Sequence, residues 1–101
     1  MITKKKLLRI KHFNEAKDKY VGRYFTSDSC WYYHVTGVGN IKSERFPCSC
    51  LHITSGLLSI DTDFDITLSL LEKGCTEITK EEYDKAIDSI LSIITKYKES
   101  R

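Results

Sequence analysis

The clearest pattern of apolar and polar positions lies at the end of the chain. Tyr83, Ile87, Ile90, Ile94 and Tyr97 recur at alternating spacings of four and three, Ala86, Leu91 and Ile93 widen the stripe, and Asp84, Lys85, Asp88, Ser92 and Lys96 fall opposite. That period predicts an amphipathic helix from about Lys80 to Lys98. Its start is written out as well. Thr79 and Glu82 form a capping box, and Ile78 and Tyr83 occupy the two positions of a hydrophobic staple.

The middle of the chain reads as strands. Residues 20–26, 31–38, 41–54 and 57–70 are rich in aromatic and β-branched side chains and are separated by Gly, Ser, Asp and Asn. Val38-Gly39-Asn40-Ile41 has the form of a two-residue hairpin turn, with glycine at the position that needs a positive φ. Such a turn sets Trp31 opposite Cys48, Tyr33 opposite Phe46 and Val35 opposite Glu44 on a core face. It sets Tyr32 opposite Pro47, His34 opposite Arg45 and Thr36 opposite Ser43 on a surface face.

From Ile60 to Leu70, apolar residues and Thr62 alternate with Asp61, Asp63, Asp65, Thr67 and Ser69, the pattern of a half-buried strand, or of two strands meeting at a bend, with acids facing water. Near the N-terminus, Leu7, Ile10 and Phe13 favour a helix over residues 3–18. The expected fold is α+β: a curled antiparallel sheet of four or five strands, a small SH3-like barrel being one form of it, packed on the C-terminal amphipathic helix, with an N-terminal helix.

With 101 residues, 41% of them hydrophobic and 30% charged, the chain has the size and composition of one folded domain. No apolar run reaches the ~20 residues a membrane helix needs, and lysines interrupt the start too early for a secretory signal. Four cysteines are then expected as reduced thiols in a cytoplasmic protein. The net charge of +2 hides an asymmetry: residues 1–23 hold eight basic and two acidic groups, net +6, and the remainder eight basic and twelve acidic, net −4.

Three constellations invite a chemical reading. Asp61, Asp63, Asp65, Thr67, Ser69 and Glu72 fall at positions 1, 3, 5, 7, 9 and 12 of an EF-hand loop, but Ile66 stands where that loop needs glycine, so the strand alternation accounts for the acids better. Cys48, Cys50 and His52 would project from one face of a strand. Their alternate spacing is unlike the tight knuckle of a structural zinc site, and buried thiols are the simpler account, so neither metal nor cofactor is implied. No local signature of nucleophilic catalysis surrounds any cysteine or histidine, and the expectation is a protein without enzymatic activity.

Binding surfaces are the better-supported candidates. The acidic face of Asp61, Asp63, Asp65 and Glu72 is one, suited to docking a protein. The second combines Lys4, Lys5, Lys6, Arg9 and Lys11 with Tyr32, His34 and Arg45 of the hairpin, cations interleaved with aromatics as in single-stranded nucleic-acid binders. Tyr24 and Tyr32 have a structural alternative, which is to pack beneath the terminal helix.

Three segments, Tyr20-Val21-Gly22-Arg23-Tyr24-Phe25, Cys30-Trp31-Tyr32-Tyr33-His34-Val35-Thr36-Gly37 and Glu77-Ile78-Thr79-Lys80-Glu81-Glu82-Tyr83-Asp84-Lys85-Ala86, resemble small proteins encoded by bacteriophages and mobile elements of low-GC bacteria. Some of these resemble anti-CRISPR or other anti-defence inhibitors. The resemblance implies a phage-type accessory protein that binds and modulates or inhibits a host protein, such as a nucleic-acid-handling defence complex, in the host cytoplasm. It carries over no catalytic or binding residue.

Overall fold

The computed structural model describes residues 3–39, 42–54 and 57–100. Along the chain these form α1 (Lys4–Tyr20), β1 (Tyr24–Ser27), β2 (Trp31–Val35), β3 (Arg45–Ile53), β4 (Leu58–Thr67), α2 (Leu68–Lys73), β5 (Thr76–Ile78) and α3 (Lys80–Glu99). The five strands make one antiparallel sheet in the order β4-β3-β2-β1-β5. It is an open sheet with β4 and β5 as its edges, not a closed barrel, and the α+β class expected from the sequence holds.

One long helix lies on each face, and the short α2 packs on the α1 side. In α1, Phe13, Ala16 and Tyr20 repeat at helical spacing and are buried against Phe25, Tyr33, Val35, Phe46, Cys48, Cys50, Ile66, Leu68 and Leu71. The Phe13 ring stacks on Phe46 at 5.1 Å, and Tyr20 meets Phe25 at 5.6 Å. Full burial of aromatic side chains like these is worth about 3 kcal/mol each. Gly22, at φ 83°, turns the chain out of α1, and its N–H donates to the Val35 carbonyl.

The opposite face is closed by α3. Tyr83, Ala86 and Ile90 are buried over Leu51, with Tyr24, Tyr32, Ile53, Leu58, Ile78 and Ile87 around them. The capping box at its start is complete: the Thr79 hydroxyl accepts the Glu82 N–H and the Glu82 carboxylate accepts the Thr79 N–H. The helix traverses the sheet, from Ile78 and Tyr24 near β5 and β1 to Ile60 and Thr62 of β4 beside Ile87 and Leu91.

Several expectations are corrected. Trp31 pairs with His52, Tyr33 with Cys50 and Val35 with Cys48, a register four residues away from the one a Gly-Asn turn would set. Strand β2 stops at Val35, where Thr36 donates its N–H to the Pro47 carbonyl, and β3 begins only after Glu44, held at φ 52°. Asn40 and Ile41 of the expected turn lie outside the described residues. The slip is an even number, so both faces keep their side chains. The hairpin's second face is nevertheless not a free surface, because α3 covers it.

Tyr20 ends a helix instead of beginning a strand. Residues 68–73 leave the sheet as α2, since the Thr67 hydroxyl caps the Leu70 N–H and both Leu68 and Leu71 find burial at helical spacing. The two-residue period of β4 is also broken. A register shift opposite Cys48 and Cys50 puts Asp61 across from Cys50 but Phe64 across from Cys48. Phe64 and Ile66 therefore face α1, while Ile60, paired with Leu51, faces α3 and stays exposed.

Candidate functional site

Among the described residues, the thiols of Cys48, Cys50 and Cys75 are not primed as nucleophiles. Burial pushes the Cys48 thiol up to about 12 and the Cys50 and Cys75 thiols up to about 11, so all three are neutral at physiological pH. Burial likewise raises the Tyr33 phenol, with Cys50, Cys75 and Cys48 nearby. His52 is buried in a parallel stack on Trp31 at 3.7 Å, and its Nδ1 has no hydrogen-bond partner. No hydrogen bond joins a thiol to an imidazole among the described residues. Nor does any group of three or more His, Cys, Asp or Glu among them have the arrangement to hold a metal ion. Asp61, Asp63 and Asp65 sit on a strand rather than in a calcium loop, with the Asp61 carboxylate accepting the Asp63 N–H at 2.9 Å.

The acidic face does not assemble as one stripe. Asp61 lies on the α1 side of β4, and Asp65, across from Pro47, on the α3 side. Glu72 belongs to α2 and is engaged with His12 of α1, 2.9 Å from Oε1 to Nε2. What the sequence suggests as four adjacent acids is split by the bulge and by the turn into α2.

The basic and aromatic halves of the second candidate are likewise parted. Tyr32 and His34 lie under α3, where His34 stacks on Tyr24 at 4.2 Å and the Tyr32 hydroxyl donates to the Ser29 carbonyl. Burial, and the Lys80 ammonium next, lower the His34 pKa. Arg45 is exposed at the start of β3. Lys4, Lys5, Lys6, Arg9 and Lys11 belong to α1, on the opposite face.

These five cations do form a surface of their own. Residues 4–9 are all exposed, and six consecutive helical residues point in every direction around the axis, so this part of α1 stands clear of the sheet. The first buried residue is Phe13. Arg9 ties the arm down through an ion pair with Glu44 at 3.1 Å, whereas among the described residues no ion pair or hydrogen bond engages the ammonium groups of Lys4, Lys5 or Lys6. Between the cations stand Leu7 and Leu8, 54% and 61% exposed.

A second projecting helix end was missed by the sequence reading. Residues 91–100 are exposed throughout. Here Ile93, Ile94 and Tyr97 continue the stripe that Tyr83, Ala86 and Ile90 bury, but beyond β4 the sheet has ended. The unbroken stripe in the sequence held the clue, because the helix is longer than a five-strand sheet is wide. Comparison with protein-family models, curated proteins and solved structures finds no match to this chain. No helix among the described residues is long and apolar enough to cross a membrane.

Proposed function

We propose that the protein acts without catalysis, by binding a host protein and altering its activity, and that the projecting basic end of α1 is what it presents. The target surface is an acidic groove with an apolar floor. The observation that carries this reading is the pair Leu7 and Leu8, half exposed within a ring of Lys4, Lys5, Lys6, Arg9 and Lys11. Exposed leucines add nothing to phosphate binding, but they are the anchors by which a helix enters a groove on another protein. The resemblance to phage-encoded proteins supports a target among host defence components. Neutral, buried thiols support the absence of enzymatic activity.

The test is capture from bacterial lysate by the tagged chain, run beside a Leu7→Ser, Leu8→Ser variant and a Lys4→Gln, Lys5→Gln, Lys6→Gln variant. One protein, identified by mass spectrometry, should be retained by the wild type after nuclease treatment and lost with either variant. Retention indifferent to both variants would refute the reading. The run of three lysines favours a nucleic-acid contact as the second reading. Retention that nuclease abolishes, falling steeply with salt and insensitive to the leucine substitutions, would establish that instead.

A further inference from the structure

We infer that β4 and the projecting end of α3 form a two-fold interface with a second copy of this chain. Edge strand β4 carries hydrogen-bonding groups on its outer side that no described strand pairs. Directly above that edge, α3 leaves the sheet with its core stripe intact: Leu91, Ile93, Ile94 and Tyr97 are between 45% and 66% exposed. A stripe in register with the buried one fits a sheet that continues past β4 in the same plane. Antiparallel pairing of β4 with β4 of a second copy supplies that continuation, and the symmetry gives each helix end the partner's sheet to cover.

The α3 side of β4 is suited to this. Leu58 and Ile60 face α3 through their pairing with Ile53 and Leu51. Ile60 and Thr62 line an open apolar groove with Ile87, Ile90 and Leu91. A two-fold axis at Ile60 joins the two grooves into one and sets Asp61 beside the second copy's Ser59, so that no aspartate opposes another. Charge chooses a second copy over an unrelated strand. The projecting end bears Lys98 on the flank of α3 that Ile87 and Leu91 share, and the edge it would cross bears Asp63 and Asp65, all exposed. Each copy thus brings both halves of a complementary pair.

The interface is independent of the α1 arm, and the two fail separately. Sedimentation of the full chain at micromolar concentration should give twice the chain mass. Ile94→Lys, and separately Ile60→Lys, should each raise the dissociation constant on the order of thirtyfold, the loss expected for an interface anchor. Lys98→Glu should weaken the dimer, and adding Asp65→Lys to the same chain should restore it. A wild type that stays monomeric, a dimer unmoved by Ile94→Lys, or a charge reversal that brings no recovery would each overturn the inference. Should either isoleucine variant lose its helical circular dichroism, the charge reversal decides.

Discussion

The two long helices, α1 and α3, have the same plan and different free ends. Each lies half on the sheet and half off it: α1 is anchored by its C-terminal residues Phe13, Ala16 and Tyr20, α3 by its N-terminal residues Tyr83, Ala86 and Ile90. The free end of α1 is mostly cationic, a form water solvates well, with only Leu7 and Leu8 set among the charges. The free end of α3 keeps an apolar stripe built for burial. The difference teaches that exposure alone does not define a site. One end carries a dense set of cations around two leucines, the other the continuation of a core stripe.

The strongest way to probe that comparison is to cut the anchors. Phe46 is fully buried beneath α1, and Phe46→Ala should cost about 3 to 5 kcal/mol by urea denaturation. Ile90, 1% exposed on the sheet side of α3, should cost about 2 to 4 kcal/mol as Ile90→Ala. If Ile90→Ala costs less than about 1 kcal/mol, α3 is not held as described.

Alkali strains both faces at once. Cys48 and Cys50 beneath α1 and Tyr83 on the sheet side of α3 have raised folded pKa values, about 12, 11 and 12. The folded state therefore holds these protons more tightly than the unfolded chain does. Their contribution is complete below pH 9 and is lost as the pH rises through 11 and 12. The urea midpoint should begin to fall near pH 9, where unfolded cysteines ionise, and a midpoint unchanged at pH 11 would contradict the burial of these thiols.

A smaller effect separates anchored from free. Thr79 caps α3 at its anchored end and Thr3 caps α1 at its free end, each accepting a backbone N–H three residues on. Thr79→Ala should lower global stability by about 1 kcal/mol. Thr3→Ala should leave the urea midpoint nearly unchanged while speeding amide exchange in the first turn of α1.

Much of the architecture was legible because it is local. The stripe from Tyr83 to Tyr97 and the box at Thr79 and Glu82 determine α3 by short-range chemistry, and its limits fall within a residue of those expected. What escaped depends on partners distant in sequence. The pairing of β2 with β3 is decided by Thr36 on Pro47 and by the left-handed Glu44, not by the glycine of the supposed turn. The aspartates of β4 look like one stripe until the shift opposite Cys48 and Cys50 moves Asp61 to the other side. Of the candidate surfaces, the lysines of α1 stand together as their sequence implied. Tyr32 and His34 do not join them, because nothing in a strand's alternation reveals which of two helices will cover it.

The strand order carries a consequence for how the chain reaches this form. Strands β1 to β4 pair with their neighbours in sequence, whereas β5 reaches back to β1, setting Ile78 beside Tyr24. The meander needs only short closures; the last strand must close a long one, with its larger entropic cost. Assembly should accordingly proceed from a four-stranded ribbon whose far side, Tyr24, Tyr32 and Leu51, remains wet until the final helix arrives, and that interval is when the molecule is most open to sticking to its neighbours.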